Sequence, residues 1–231
     1  MKLLSPIESN AKTRKDSERF EGCILYLAPA NTAGCGNVCP WSTEGCRARC
    51  LYTAGRGVIN HVKHARMERT YLFMKHRKDF LKQLNHELTL LVARAAKKNK
   101  RAVCRLNGTS DIAWEKFGIP QNHPSIQFYD YTKSPKRAMA QRKDSEWPQN
   151  YHLDYSATEY DSRDTITRMA LYWKINVAIP FHTIPKNYFG VRVINGDKSD
   201  WRFEDPTGVI VGLTPKGKAK HDTTGFVRFA Q

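Results

Sequence analysis

Short apolar runs, each followed at once by polar residues, recur through the chain and limit the folds open to it. They lie at 102–106, 126–129, 151–155, 176–180, 191–194 and 209–213. Helical patterns separate several of these runs, most clearly at 162–173. Strands that alternate with helices indicate right-handed β-α-β units and a mainly parallel sheet. We therefore predict an α/β fold. Six or seven strand candidates are too few for an eight-stranded barrel, so a partial (β/α) barrel is expected.

The first half of the chain supplies one more strand and a long helical pattern. Residues 23–29 form an apolar run that ends in proline, which suits a buried strand. Apolar residues recur at intervals of three and four within 58–98, which predicts a helix. The 231 residues are expected to form a polar N-terminal arm at 1–20 and a single α/β domain at 21–231.

A cysteine-rich loop directly follows this first predicted strand. Four of the six cysteines lie within 35–50, with three, six and three residues between them: Cys35, Cys39, Cys46 and Cys50. Thiolates clustered in a short loop suit zinc or an iron–sulfur centre better than a role as buried apolar side chains. The six-residue insert is short for zinc, so a [4Fe-4S] cluster is preferred. Zinc and reduced structural thiols remain the alternatives.

Net charge points to a polyanionic partner. The chain carries a formal charge of +16, and its pI is near 9.7. Such a field attracts nucleic acid, DNA or RNA, although it also suits a small phosphorylated ligand. The predicted long helix and the residues after it are the most basic region, and the expected nucleic-acid contacts are Arg77, Lys78, Lys97, Lys98, Lys100 and Arg101.

Nothing in the sequence predicts a membrane span or export. No apolar run approaches the roughly 20 residues that a transmembrane helix needs. Charged residues stand where a signal peptide would need an apolar stretch. A cytoplasmic protein is therefore expected, without a membrane partner.

Distinctive segments carry a resemblance that covers nearly the whole chain. They are 27–30, Cys39-Pro40, Cys46, Cys50-Leu51, 54–57, 105–112, 128–133, 196–197, 202–203 and 208–213. Together they resemble an uncharacterised family of cysteine-containing proteins found mainly in tailed bacteriophages. The recurrent cysteines of that family match Cys39, Cys46 and Cys50, which favours a three-thiolate cluster with Cys35 as an extra. The resemblance implies the cytoplasm of an infected bacterial host.

The predicted architecture also resembles that of radical S-adenosylmethionine enzymes, which carry a three-cysteine loop after the first strand of a partial parallel barrel. Their usual spacing is C-x3-C-x2-C, and the spacing here departs from it. This resemblance implies S-adenosylmethionine as a second cofactor.

Polar residues after the strands are the candidates for such a site, because the carboxyl ends of parallel strands meet at one edge. The expected cofactor-binding residues are Asn107, Thr109, Ser110 and Asp111, whose short side chains suit an ammonium and ribose hydroxyls. A helix cap is the alternative role. The expected acid–base or substrate-binding residues are Asp130, Lys133, Tyr155 and Glu159.

Three functions remain open at this point. The first is a phage-encoded iron–sulfur enzyme of radical type that modifies nucleic acid or a nucleotide-derived substrate. The second is a non-catalytic, metal-stabilised nucleic-acid-binding protein. The third is a Mg²⁺-dependent nuclease that uses an acidic group near Arg202, namely Asp197, Asp200 and Asp205.

Overall fold

A computed structural model describes residues 1–9, 13 and 17–230 of the chain. Within these residues nine strands form one sheet. They are β1 (Leu4–Pro6), β2 (Phe20–Leu25), β3 (Arg101–Arg105), β4 (Ile126–Thr132), β5 (Tyr151–Ser156), β6 (Val177–Pro180), β7 (Asn187–Tyr188), β8 (Val191–Asn195) and β9 (Ile210–Leu213).

Helices are concentrated between the parallel strands. The α-helices are α1 (Glu44–Ala48), α2 (Asn60–Lys75), α3 (Arg77–Lys97), α4 (Ile119–Asn122), α5 (Pro135–Lys143) and α6 (Arg163–Thr167). A π-helical turn, Arg168–Tyr172, continues α6. Short 3₁₀ helices cover Ile7–Ser9, Leu51–Thr53, Gly55–Val58, Trp114–Phe117, Arg202–Glu204 and Gly217–His221.

The sheet has the order β1-β2-β3-β4-β5-β6-β9-β8-β7. Every pairing from β2 through β6 and on to β9 and β8 is parallel, and the edge pairs β1–β2 and β7–β8 are antiparallel. The prediction of a mainly parallel α/β fold is confirmed. The sheet is not closed, and β1 and β7 are its edges.

The N-terminal segment takes part in this sheet. Strand β1 pairs with β2, and Leu3, Leu4 and Ile7 are buried. The predicted N-terminal arm therefore includes an edge strand, which makes the cysteine loop follow the second strand of the chain and the first of the parallel set. The arm's residues 10–12 and 14–16 lie outside the described residues.

Two helices replace the one predicted over 58–98. The chain leaves helical geometry at His76, whose φ of −128° and ψ of 50° end α2 before α3 begins. In α3 the buried residues recur every three or four positions and pack on the sheet: Phe80, Leu84, Leu88, Leu91 and Ala95. The helical pattern predicted at 162–173 is confirmed by α6 and the π-helical turn that continues it. The Ser162 side chain caps the start of α6 by accepting a hydrogen bond from the Thr165 N–H.

Both faces of the sheet are covered. Along β2, Cys23 and Leu25 face the layer that contains α3, whereas Phe20 and Ile24 face the opposite side, as the two-residue period of a strand requires. On that opposite side Trp201 packs on Phe20, with ring centroids 4.5 Å apart. Among the described residues, no helix has the length and apolarity to cross a membrane.

Candidate functional site

A cavity of about 250 Å³ opens at the carboxyl edge of the parallel strands. Three cysteines of the loop line it: Cys39, Cys46 and Cys50. Strand ends supply the opposite wall, among them Arg105, Tyr131, Ser156, Ala178 and Leu213. Cys35 is partly buried and does not line the cavity. The fold therefore brings together three of the four predicted metal ligands.

Backbone contacts fasten the Cys39 end of the loop to the tip of β3. The Cys39 Sγ accepts a hydrogen bond from the Ala30 N–H at 3.3 Å and lies 3.7 Å from the Thr109 carbonyl oxygen. One residue earlier, the Val38 carbonyl accepts from the Asp111 N–H at 2.9 Å. These contacts fix the Cys39 thiol beside the loop that follows β3.

Glu159 fastens the middle of the cysteine loop to the tip of β5. Its carboxylate accepts hydrogen bonds from the Thr43 hydroxyl at 2.6 Å and from the Gly45 N–H at 2.8 Å. The Thr43 Oγ1 in turn accepts from the Cys46 N–H, which caps α1. Burial acts to raise the pKa of Glu159, but these bonds and the nearby Lys133 lower it below its usual value. Glu159 is therefore a charged anchor for the helix that carries Cys46.

The C-terminal segment closes the other side of the cavity. Arg49 Nε donates to the Asp222 carboxylate at 2.9 Å. Although burial opposes it, hydrogen bonds from the Val227 N–H, Arg49 and Thr224 lower the pKa of Asp222 to about 2. Phe226 contributes an aromatic wall to the cavity. The tail thus folds back over the cysteines.

The three thiols lie close enough to influence one another. Burial raises the pKa of Cys39 to about 12, and the neighbouring Cys50 and Cys46 add to the effect. Burial also raises the pKa of Cys46 and of Cys50, which the cation of Lys133 partly opposes in both. Among the described residues, no three His, Cys, Asp or Glu side chains are grouped tightly enough to hold a single metal ion.

Lys133 presents a buried cation to this cavity. Its Nζ donates to the Ala157 carbonyl at 2.8 Å and lies 3.2 Å from the Ser156 hydroxyl oxygen. The same Nζ lies 4.9 Å from the centre of the Phe226 ring. Burial lowers the pKa of Lys133, while the nearby Cys46, Glu159 and Asp111 favour its charged form.

All four predicted cofactor-binding residues line the cavity: Asn107, Thr109, Ser110 and Asp111. Protein partners already engage them. The Asn107 Oδ1 accepts from the Ser110 hydroxyl, the Ile112 N–H and the Trp114 indole N–H. The Thr109 hydroxyl donates to the Leu27 carbonyl. These bonds hold the turn together in the cavity wall, but it does not provide the helix cap predicted as its alternative role, because the helix at Trp114–Phe117 begins after Ala113 without a side-chain cap.

Three of the four predicted catalytic residues, Asp130, Tyr155 and Glu159, lie outside the cavity lining, and only Lys133 is part of it. Asp130 is fully buried; its carboxylate accepts from the Asn107 N–H at 2.7 Å and from the Tyr151 hydroxyl at 2.9 Å. The Tyr155 hydroxyl donates to Asp161 at 2.8 Å. Adjacent strand residues point to opposite faces, so these side chains project away from their cavity-lining neighbours. Asp130 supports the Asn107 turn from beneath.

The buried Asp130 predicts a specific pH dependence of stability. Burial raises its pKa to about 7, against the opposing effect of Arg105. The folded state therefore takes up a proton more readily than the unfolded state, so this group's contribution falls as pH rises from about 4 to about 7. We expect Asp130→Asn to reduce the loss of unfolding free energy between pH 5 and pH 8, measured by urea denaturation. The control Asp164→Asn, at an exposed position, should keep the full loss; an identical pH profile in both variants would contradict the prediction.

The acidic group near Arg202 is divided among separate partners. Asp200 lies 3.4 Å from Arg105, and Asp205 lies 3.0 Å from Arg202. The Asp197 carboxylate accepts from the Thr214 N–H at 2.8 Å. Asp197 and Asp200 line the cavity, whereas Asp205 does not.

The predicted nucleic-acid contacts lie at two distant places. Arg77 and Lys78 begin α3, and Lys97 ends it, which separates them by about 30 Å at 1.5 Å per residue. The others lie just beyond that end, where Lys98 pairs with Glu21 at 2.8 Å and Lys100 donates to the Ser17 carbonyl. Arg101 Nη2 donates to Gln127 at 3.0 Å. The six cations do not form one patch.

Several residues of the site carry no signal in the sequence. Arg49, Arg137 and Phe226 are distant in sequence from the residues that they contact, which are Asp222, Asp111 and Lys133. One of them, Arg137, binds Asp111 and Glu115, each at 2.8 Å. Charge complementarity between distant positions is visible only once the fold brings them together.

The chain matches one protein family over nearly its whole length. The model of a family described as Gene product 88 matches residues 2–230. The chain belongs to this family. A family named by a numbered gene product is consistent with the bacteriophage proteins that the sequence resembles. No curated protein and no solved structure matches the chain.

Proposed function

We propose that this member of the Gene product 88 family is an iron–sulfur enzyme of radical type that acts on nucleic acid or a nucleotide-derived substrate. One observation carries the proposal: Cys39, Cys46 and Cys50 line the same cavity at the carboxyl edge of a parallel sheet. Ligands collect at this edge in α/β folds because the loops from several strands converge there.

The donor set fits an iron–sulfur cluster better than a single ion. A cluster is wider than one ion and accepts thiolates spread around a cavity, whereas zinc needs four ligands in a tight tetrahedron. Cys39, Cys46 and Cys50 would hold a [4Fe-4S] cluster and leave one iron without a cysteine ligand. Such a cluster supplies one-electron chemistry at this edge.

The remaining cavity residues suit a polar second cofactor, for which the resemblance implies S-adenosylmethionine. The rigid turn at Asn107 presents Ser110 and Asp111 in the cavity wall. Lys133 holds a positive charge opposite Cys46 and can fix an anionic group or exchange a proton there. Phe226, Leu51 and Leu213 add apolar side chains to the lining of the same space.

The partial barrel is part of the same proposal. Residues at the ends of β3, β4, β5, β6 and β9 all border one cavity, and this supports a curled sheet. Asp197 and Asp200 are also at this edge, but their existing partners give little support to a magnesium site.

Metal content tests the proposal directly. Purified without oxygen and reconstituted with iron and sulfide, the protein should be brown and hold about four iron and four sulfide per chain. Calorimetric titration with S-adenosylmethionine should show saturable binding to this form. About one zinc per chain with no retained iron would instead support the non-catalytic, metal-stabilised alternative.

A further inference from the structure

A second chamber, of about 780 Å³, adjoins the cysteine-lined cavity. The two share a wall formed by Leu51, Arg105, Gly108, Thr109, Asp200 and Lys216. Ligand sites in proteins commonly enclose roughly 300–1,000 Å³, so a nucleotide-sized molecule fits this chamber. The shared lining residues make the chamber and the cysteine-lined cavity direct neighbours.

The chamber lining has an excess of positive charge. Its cationic residues are Arg56, Arg66, Arg69, Arg105 and Lys216, and His61 also lines it. The acidic residues among the described lining are Glu8 and Asp200, and Asp200 is already paired with Arg105. This balance favours an anionic ligand that carries more than one negative charge.

Arg66 is a buried arginine of this lining whose guanidinium lacks hydrogen-bond partners at two nitrogens. Its side chain is only 6% exposed, and its Nε and Nη1 are buried without a hydrogen-bond partner. The guanidinium lies over the Tyr26 ring at 4.7 Å and the Tyr52 ring at 5.5 Å, which fixes its plane. A buried, unpaired charge is costly unless a counter-ion relieves it.

We propose that this chamber binds the phosphoryl group of a nucleotide, with Arg66 as its principal ligand. Guanidinium groups match phosphate oxygens in pairs, and the additional cations of the lining suit the dianionic charge of a phosphate monoester. The nucleotide then extends across the shared wall toward the cysteines. This inference deepens the proposed function by naming the subsite that would recognise a nucleotide-derived substrate.

Binding measurements on the full chain test the assignment. Inorganic phosphate, adenosine 5′-monophosphate and a 5′-phosphorylated oligothymidylate of ten nucleotides are the probes, titrated calorimetrically. We expect Arg66→Met to weaken the tightest of these interactions by about tenfold or more, and Arg66→Lys to weaken it less, because lysine keeps the charge but lacks the paired donors. The matched control Arg168→Met removes an exposed arginine at the end of α6 and should leave every affinity unchanged.

The choice of probe identifies the source of the phosphoryl group. Arg66-dependent binding of the mononucleotide supports a free nucleotide, and Arg66-dependent binding of the oligothymidylate alone supports a nucleotide within a strand. Equal affinities in Arg66→Met and the unaltered protein would overturn the proposal, as would failure of all three probes to bind at millimolar concentration.

Folding and metal content separate this inference from the proposed function. Without ligand, Arg66→Met should be at least as heat-stable as the unaltered protein, since it removes an unpaired buried charge. It should also retain iron after reconstitution. Phosphoryl binding that needs Arg66 in a protein without iron would leave the inference standing and refute the cluster.

Discussion

Replacing Cys39, Cys46 or Cys50 by alanine is expected to abolish retention of the iron–sulfur cluster, from about four iron per chain to near zero after anaerobic reconstitution and desalting. Each of the three lines the cavity, whereas Cys35, the fourth cysteine of the loop, does not. A lost ligand therefore has no substitute within the loop. A cluster held by two thiolates is too weakly bound to survive desalting. Iron and sulfide assays, with the visible absorption spectrum, provide the measurement.

Cys35→Ala is the matched control for this experiment. Cys35 belongs to the same loop but does not line the cavity, so the variant should keep its iron and its colour. Equal loss of iron from all four variants would indicate a closed four-thiolate site. Full retention in the other three variants would show that the cysteines serve another purpose.

The sequence predicted the cavity because its physical signals are local. Apolar runs with polar ends identify strands and their direction, and parallel strands bring those polar ends to one edge. The polar strand ends predict Asn107, Asp111 and Lys133 in one wall, and all three line the cavity. The pattern does not indicate which side of a strand end faces the cavity, and the side chains of Asp130 and Tyr155 bind partners away from it.

Features that depend on distant contacts escaped prediction for a different reason. The charge pattern predicts one basic surface along α3, but the 21 residues of this helix place Arg77 and Lys97 at its opposite ends. Arg66 is one basic residue among many in the sequence. Only packing against Tyr26 and Tyr52 distinguishes it as buried and unpaired. Periodicity identifies which face of a helix is buried, but it does not identify a cation held there without a partner.

The buried ion pairs of Arg137 give the largest expected effect on stability. Its side chain, 6% exposed, donates to Asp111 at 2.8 Å and, through two nitrogens, to Glu115 at 2.8 Å. We expect Arg137→Met to lower the free energy of unfolding by about 3–5 kcal/mol, because it leaves the carboxylates of Asp111 and Glu115 buried without their cationic partner. The neighbouring control Arg142→Met, which loses one exposed bond to the Lys174 carbonyl, should change stability by about 0.5 kcal/mol or less.

The pH dependence of that loss distinguishes stranded carboxylates from lost packing. In the unaltered protein Arg137 opposes the rise that burial causes in the pKa of Asp111. Without Arg137 this pKa rises further, so the folded state takes up a proton more readily and is stabilised relative to the unfolded state as pH falls. Urea denaturation of Arg137→Met should therefore give a smaller loss at pH 5 than at pH 8. A loss that is the same at both values would mean that Arg137 contributes through packing of its side chain alone, and the wall between the β3 and β4 tips would not depend on charge.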